Sequence, residues 1–202
     1  CVVVRPLLWS METPHLYRLV SNVYVNSELW DTYETCFGFR TIRFDKDKGF
    51  FLNGQPVKLK GVCLHHDLGP LGAAVNMRAI ERQLEIMQEM GCNAIRTSHN
   101  PPAPELLELC DRMGFVVQVE AFDEWRTGKN TNGYHCYFDD WAERDLQAMI
   151  RRDRNHPSVI MWSIGNEVRE QGKVEGAEIA RWLTEICHRE DPTRPTTAGF
   201  NG

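Results

Sequence analysis

The sequence predicts an α/β protein in which antiparallel β structure over residues 1–48 leads into the first four to five units of a parallel, TIM-type (β/α)8 barrel over residues 49–202. Three observations carry that prediction. Alternation of apolar and polar residues at period two is confined to the first part of the chain. Beyond residue 57, short apolar runs take turns with helical stripes, as in βα units whose parallel strands are joined by right-handed crossovers. Each apolar run is followed by ionisable or amide side chains, and the carboxyl ends of parallel strands are where α/β architectures gather their ligand-binding groups.

Residues 16–25, LYRLVSNVYV, and 37–44, FGFRTIRF, alternate as half-exposed strands do. The charged run DKDKG at 45–49 interrupts the pattern and suggests a domain boundary near residue 48. FFLNGQPV at 50–57 then predicts a hairpin, because Asn53-Gly54 supplies two residues suited to a tight turn. Residues 57–64 read as the first barrel strand. Ile80, Leu84 and Met87 mark one face of a helix that Gly91 stops. Residues 93–96 form the second strand; Pro104 suits a first helical turn, Leu106, Leu109, Cys110 and Met113 give the stripe, and Gly114 closes that helix. The third strand is 115–119. A helix over 141–154 is opened by Asp140 with Glu143 three residues on. Residues 159–164 make the fourth strand, an amphipathic helix covers about 174–189, and a fifth strand begins near 196. A doubly wound sheet shares this alternation, but the placement of the acids favours a barrel. A complete barrel takes roughly 250 residues, so residues 49–202 hold about half of one.

Composition excludes several function classes. At 42% hydrophobic and 25% charged the 202 residues are neither disordered nor fibrous, and a net charge of -5 provides no field to gather nucleic acid or anionic membrane. The cluster Arg151-Arg152-Asp153-Arg154 reads as a solvated helix terminus that complements the helix dipole. Seven cysteines, an odd number without C-x-x-C spacing, are expected to be free thiols and lean toward a reducing compartment. No stretch reaches membrane-span length or resembles a signal peptide. The chain starts at Cys1-Val2-Val3-Val4, so a leader further upstream stays open, and cytoplasm and periplasm both fit.

At the rim, the first strand is followed by His65-His66-Asp67, the second by Arg96-Thr97-Ser98-His99-Asn100, the third by Glu120 through Trp125, and the fourth by Asn166-Glu167. Adjacent strand histidines point to opposite faces, so one of His65 and His66 is expected to face the rim and joint metal ligation is not. Arg96 is costly to bury unpaired and should meet a carboxylate, Glu120 or Glu167. Trp125, followed by a polar loop, suits a sugar-stacking surface, and the long connection 122–139 suggests function. Carboxylates, histidine, asparagine and tryptophan at a barrel mouth suit cleavage of a glycosidic bond, where one carboxylic acid protonates the leaving oxygen and a second carboxylate attacks from about 5 to 5.5 Å away. Glu167 suits the acid, and a neighbouring anion or partial burial would keep it protonated.

The motifs "LWSMETPHLYRL" and "FGFRTIRF", then "NGQPVKLKGVCLHHD", "GCNAIRTSHNPPAPELLELCDRMGF" and "RRDRNHPSVIMWSIGNE", closely resemble glycoside hydrolase family 2, and within it the β-galactosidases. The resemblance implies that residues 1–48 are the end of an immunoglobulin-like sandwich and 49–202 the N-terminal half of the catalytic barrel. It implies Glu167 as acid/base, Asn166 as the residue binding the sugar 2-hydroxyl, His65 and His99 as sugar-binding histidines, and Arg96 as support for the nucleophile. That nucleophile follows the seventh strand, so the chain alone is expected to be inactive. Some family members bind magnesium through the acid/base glutamate, a glutamate at the position of Glu124 and a histidine where Arg126 stands. No cofactor is therefore certain; magnesium is the one candidate, Glu124 a weak ligand, and Arg126 is expected to pair with Glu124 instead. Val119 also departs from the aspartate usual there.

The expected function is retaining hydrolysis of terminal β-galactosides, with β-glucuronidase as the close alternative and a non-catalytic carbohydrate-binding relic as the non-enzymatic one. A metal-dependent amidohydrolase, the reading from another reaction class, needs His-x-His rather than adjacent histidines. Expected partners are a carbohydrate and, for a full-length protein, further copies of itself, with no nucleic acid and no membrane.

Overall fold

The computed structural model describes residues 2–201. Strands β1 (Tyr17–Val25) and β2 (Glu28–Phe37) pair antiparallel through a turn in which Asn26 and Ser27 both have positive φ. Apolar side chains along this ribbon, among them Leu19, Val23 and Trp30, are exposed. The sequence pattern did not single out β2, because Glu28, Asp31 and Glu34 break up its apolar residues.

β3 (Ile42–Asp45), β4 (Gly49–Leu52) and β5 (Gln55–Val57) form an antiparallel meander that turns at Asn53-Gly54 as expected. The expected boundary near residue 48 falls in the β3–β4 turn. Ile42 pairs with Leu52 and Asp45 with Gly49 across it. The expected first barrel strand is likewise divided. Residues up to Val57 belong to the meander, and the barrel strand β6 runs Gly61–His65. Asn93 bridges the gap, donating to the Lys58 carbonyl and accepting from the Lys60 amide.

The remaining elements are α1 (Met77–Glu89), β7 (Ala94–Ser98), α2 (Pro104–Met113), β8 (Val116–Glu120), α3 (Phe138–Asp153), β9 (Val159–Asn166), α4 (Val174–Glu190) and β10 (Thr196–Gly199). β6 through β10 form one parallel sheet in sequence order. A doubly wound sheet reverses its order at a switch point, and this one does not, so the partial barrel is the architecture. α3 starts before the expected residue 141: Phe138 is fully buried, and Asp139 and Asp140 occupy the first turn, where acids favour the dipole.

The main core lies between the helices and the outer face of the sheet. Leu84, Leu107 and Leu109 of α1 and α2, Leu146 and Ile150 of α3, and Leu183 of α4 join Ile95, Val117, Val119 and Trp162 in it. A second cluster of Trp9, Phe50, Leu52, Val116 and Ile160 joins the meander to the sheet. The fully buried Trp9 donates its indole N–H to the Asp111 carbonyl at 2.8 Å. Arg40 reaches the carbonyls of Pro157 and Val159, and Arg194 reaches those of His156 and Val159 while pairing with Asp191 at 2.6 Å. Two arginines thus hold the amino end of β9, the strand that ends in Asn166. The cluster at 151–154 forms ion pairs with Glu190 and Asp153 and caps the Glu190 carbonyl.

Among the described residues six cysteines are unpaired, and no helix is long and apolar enough to cross a membrane.

Trp9→Ala should destabilise a full-length protein carrying this chain by about 3–5 kcal/mol, the usual cost of truncating a buried tryptophan. Chemical denaturation measures it, and an unchanged midpoint would show that Trp9 does not hold the meander to the barrel.

Candidate active site

The carboxyl ends of the parallel strands converge around Glu120, the last residue of β8, which has no exposed surface. A buried carboxylate must be matched by donors, and they come from both flanking strands. Arg96 of β7 donates Nη2 to both Glu120 oxygens, at 2.9 and 2.7 Å, and Nε at 3.0 Å. His99 Nδ1 lies 2.7 Å from Oε1, and Ser163 of β9 donates to Oε2 at 2.6 Å. The partner expected for Arg96 is therefore Glu120 rather than Glu167. Partial burial disfavours the Arg96 charge, but Cys63 and Glu120 outweigh it and raise its pKa.

Arg96 Nη2 also donates to Asn166 Oδ1 at 2.8 Å, while Asn166 Nδ2 donates to Asp123 at 2.9 Å. Its amide is fixed from both ends, and since an amide nitrogen has two hydrogens, one remains for a ligand. Glu167 follows with φ of +43°, in the left-handed region, and its N–H donates to the Gly199 carbonyl of β10 at 2.5 Å. This turn carries the Glu167 side chain off the strand. The partial burial expected around it is not found in this chain, where Glu167 is exposed.

His65 and His99 meet edge to face with ring centroids 5.2 Å apart, and the Ser98–His99 peptide is cis. His66 turns away and bonds the Ala73 carbonyl at 2.9 Å, so the adjacent histidines diverge as strand geometry requires. The arrangement gives an amidohydrolase metal site no support. Where His99 Nδ1 donates to Glu120, Nε2 is left for a ligand.

Two sequence expectations fail here. Trp125 is no stacking platform: it is fully buried, and its indole N–H donates to the Ile164 carbonyl at 2.7 Å. It packs beneath Gly165, where a Cβ would come 2.9 Å from the indole nitrogen, so the glycine before Asn166-Glu167 is set by this tryptophan. Arg126 does not pair with Glu124; it meets Asp139 at 2.6 Å and Glu175 at 3.4 Å. Glu124 is buried, and its carboxylate accepts from the Lys129 amide at 2.5 Å and from both the amide and Nδ1 of His135 at 2.9 Å. Burial raises its pKa, yet these hydrogen bonds prevail and hold it below the usual range. A carboxylate so engaged, beside an arginine turned elsewhere, does not fit a magnesium site.

Three contributors have no role in the sequence reading: Ser163, Lys129 and Asp123, the last placed at the rim without a partner. A serine inside the apolar run VIMWSIG was a usable signal, since a buried hydroxyl seeks a partner. Lys129 left no such mark, because its place depends on how the loop after β8 folds.

A parallel barrel sheet whose strand ends gather carboxylates, an amide and histidines defines a catalytic-type (β/α) barrel with a polar-ligand site. Comparison with known proteins narrows this. The family described as "Glycosyl hydrolases family 2, TIM barrel domain" matches residues 44–201, and "Glycosyl hydrolases family 2" matches residues 1–40; the chain belongs to glycoside hydrolase family 2. A protein of Bacteroides ovatus named beta-galactosidase BoGH2A is 52% identical over 98% of the chain and 27% of its own length. A putative beta-glucuronidase of Formosa agariphila is 39% identical over 98% of the chain and 18% of its own. The crystal structure of a family 2 member from Bacteroides cellulosilyticus superposes with a TM-score of 0.95 at 48% identity, covering 99% of this chain and 26% of that one. The chain thus spans about a quarter or less of these relatives.

Trp125→Phe should cost about 1–3 kcal/mol by leaving the Ile164 carbonyl without its donor, with little change in substrate KM. A raised KM at unchanged stability would restore Trp125 as a sugar contact. Because the Glu124 carboxylate is held below its usual range by its partners, it stabilises the fold above about pH 4.3, the ordinary glutamate value. That contribution is lost as pH falls through the depressed folded value. Glu124→Gln should flatten this part of an acid-unfolding curve and lower neutral-pH stability; an unchanged acid limb would contradict the assignment.

Proposed function

We propose that a full-length protein carrying this chain hydrolyses terminal β-D-galactosides with retention of configuration, with Glu167 as general acid/base and the nucleophile supplied by residues other than those at this rim. The observation that carries the reading is the end of β9. Asn166 is fixed by Arg96 and Asp123 with one amide hydrogen to offer, and Glu167 turns off the strand beside it.

In this reading a sugar docks against the rim with its 2-hydroxyl at Asn166 and other hydroxyls at His65 and His99. Glu167 protonates the departing glycosidic oxygen and then deprotonates the water that releases the sugar from its covalent link. Arg96 supports the nucleophile indirectly, since its guanidinium is engaged by Glu120 and Asn166. No metal enters any step. The printed name of the Bacteroides ovatus relative supports the galactoside.

β-Glucuronidase is the second reading, favoured by the name of the Formosa agariphila relative and by solved β-glucuronidases that share this part of the fold. Turnover of aryl β-galactoside and aryl β-glucuronide by the full-length protein separates the two. Activity on neither would leave the carbohydrate-binding relic.

Glu167→Gln should leave folding intact and slow poor leaving groups most, because general-acid help matters most where the departing oxygen is most basic. Rates across a series of aryl leaving groups measure this, and an equal loss throughout would count against the acid/base role.

A further inference from the structure

The loop from 121 to 137 carries one cation to the heart of the rim. Lys129 Nζ lies 2.7 Å from Asp123 Oδ1 and 2.7 Å from the backbone oxygen of Asn166. Its side chain is only 21% exposed, unlike that of a free surface lysine.

The loop is built to deliver it. Buried Glu124 accepts from the Lys129 backbone amide, and buried Glu170 accepts from the Thr127 amide at 2.6 Å. Trp125 anchors the loop's start on β9 through Ile164. Two buried carboxylates and a buried indole thus fix the backbone from which the ammonium extends.

Lys129 grips Asn166 twice, directly at its carbonyl and through Asp123 at its side-chain amide. The carbonyl belongs to the peptide that joins Asn166 to Glu167. With this contact and the bond from the Glu167 amide to Gly199, the peptide is held on both its oxygen and its nitrogen side. The Asp123 carboxylate completes the grip: burial raises its pKa, and the hydrogen bonds from Lys129 and Asn166 outweigh this and lower it.

We propose that Lys129 is a positioning residue whose ammonium holds Asn166 and the acid/base Glu167 in place. The inference rests on the proposed role of Glu167. Without the ammonium the Asn166–Glu167 peptide loses one of its two tethers, and a displacement of about 1 Å at a catalytic group costs on the order of 10²-fold in rate.

The test uses the full-length protein with Lys129→Met, Lys129→Ala and Lys129→Arg, a series of aryl β-galactosides or glucuronides, and melting temperature as the measure of folding. Lys129→Met should lower kcat about 30- to 100-fold on poor leaving groups, much less on good ones, with KM within about threefold. Ethylammonium should restore part of the Lys129→Ala rate, and arginine should retain more activity than methionine. A loss that is uniform across leaving groups and tracks a lowered melting temperature would reduce Lys129 to a structural residue, and unchanged kinetics would overturn the proposal. A crystal structure of Lys129→Met gives a readout independent of activity: the Asn166–Glu167 peptide should shift, and an unmoved peptide sinks the idea. A wild-type protein without turnover on any aryl glycoside would instead count against the proposed function, leaving the structural arm to judge the tether.

Discussion

Burying the Glu120 carboxylate is the constraint from which the rim follows. A carboxylate with no exposed surface needs its lone pairs occupied, and a single neighbour cannot do this from a strand end. Arg96 and His99 arrive from one side and Ser163 from the other, so β7, β8 and β9 are held in register by one charge as well as by their ladders. Because Arg96 has a donor left over for Asn166, the order imposed by Glu120 extends to the residue beside Glu167.

Close approach then dictates small residues. Gly199 lies where a Cβ would come 2.8 Å from Arg96 Nη2, and Gly165 lies over the Trp125 indole. The stretch Ser163-Ile164-Gly165-Asn166-Glu167 is therefore divided between residues that serve the buried layer and residues that serve the rim. Ser163 bonds Glu120, Ile164 packs in the core and takes the indole hydrogen bond, and in the proposed reading Asn166 and Glu167 address the ligand.

Much of this was legible in the sequence. The parallel order of strands and the stop of α2 at Gly114 follow from periodicity and turn chemistry, which are local. Arg96, Asn166 and Glu167 could be picked out because polar residues at the ends of apolar strands need a reason to be there. Trp125 misled, since a tryptophan in a polar loop carries no local sign of whether its ring faces solvent or core; here the packing against Gly165, forty residues away, decides. Arg126 misled for the same reason, because its acids come from α3 and α4. The division of 57–64 between the meander and β6 rests on Asn93, which is also distant in sequence. Local patterns thus found the elements and the strand-end chemistry, and missed what depends on which elements touch.

The same accounting bears on the second carboxylate that double displacement requires. Glu120 faces five donor contacts with about four lone-pair sites, and its full burial keeps it from an incoming sugar. Glu124 is nearly as enclosed and holds the loop at two backbone amides and at the His135 ring. Asp123 is shared between Lys129 and Asn166, whose amide would lose its orientation if that oxygen were diverted to attack an anomeric carbon. Each of these carboxylates is committed to keeping another group in place, and a nucleophile must instead be free to form and break a covalent bond. Of Glu120, Asp123, Glu124 and Glu167, only Glu167 has no hydrogen-bonding partner for its carboxylate among the described residues, and in this reading it is the acid. In the proposed reading, retention would therefore draw its nucleophile from a strand end facing this one across the barrel mouth, and this segment would contribute the acid, the sugar-binding amide and the charge that keeps both in place.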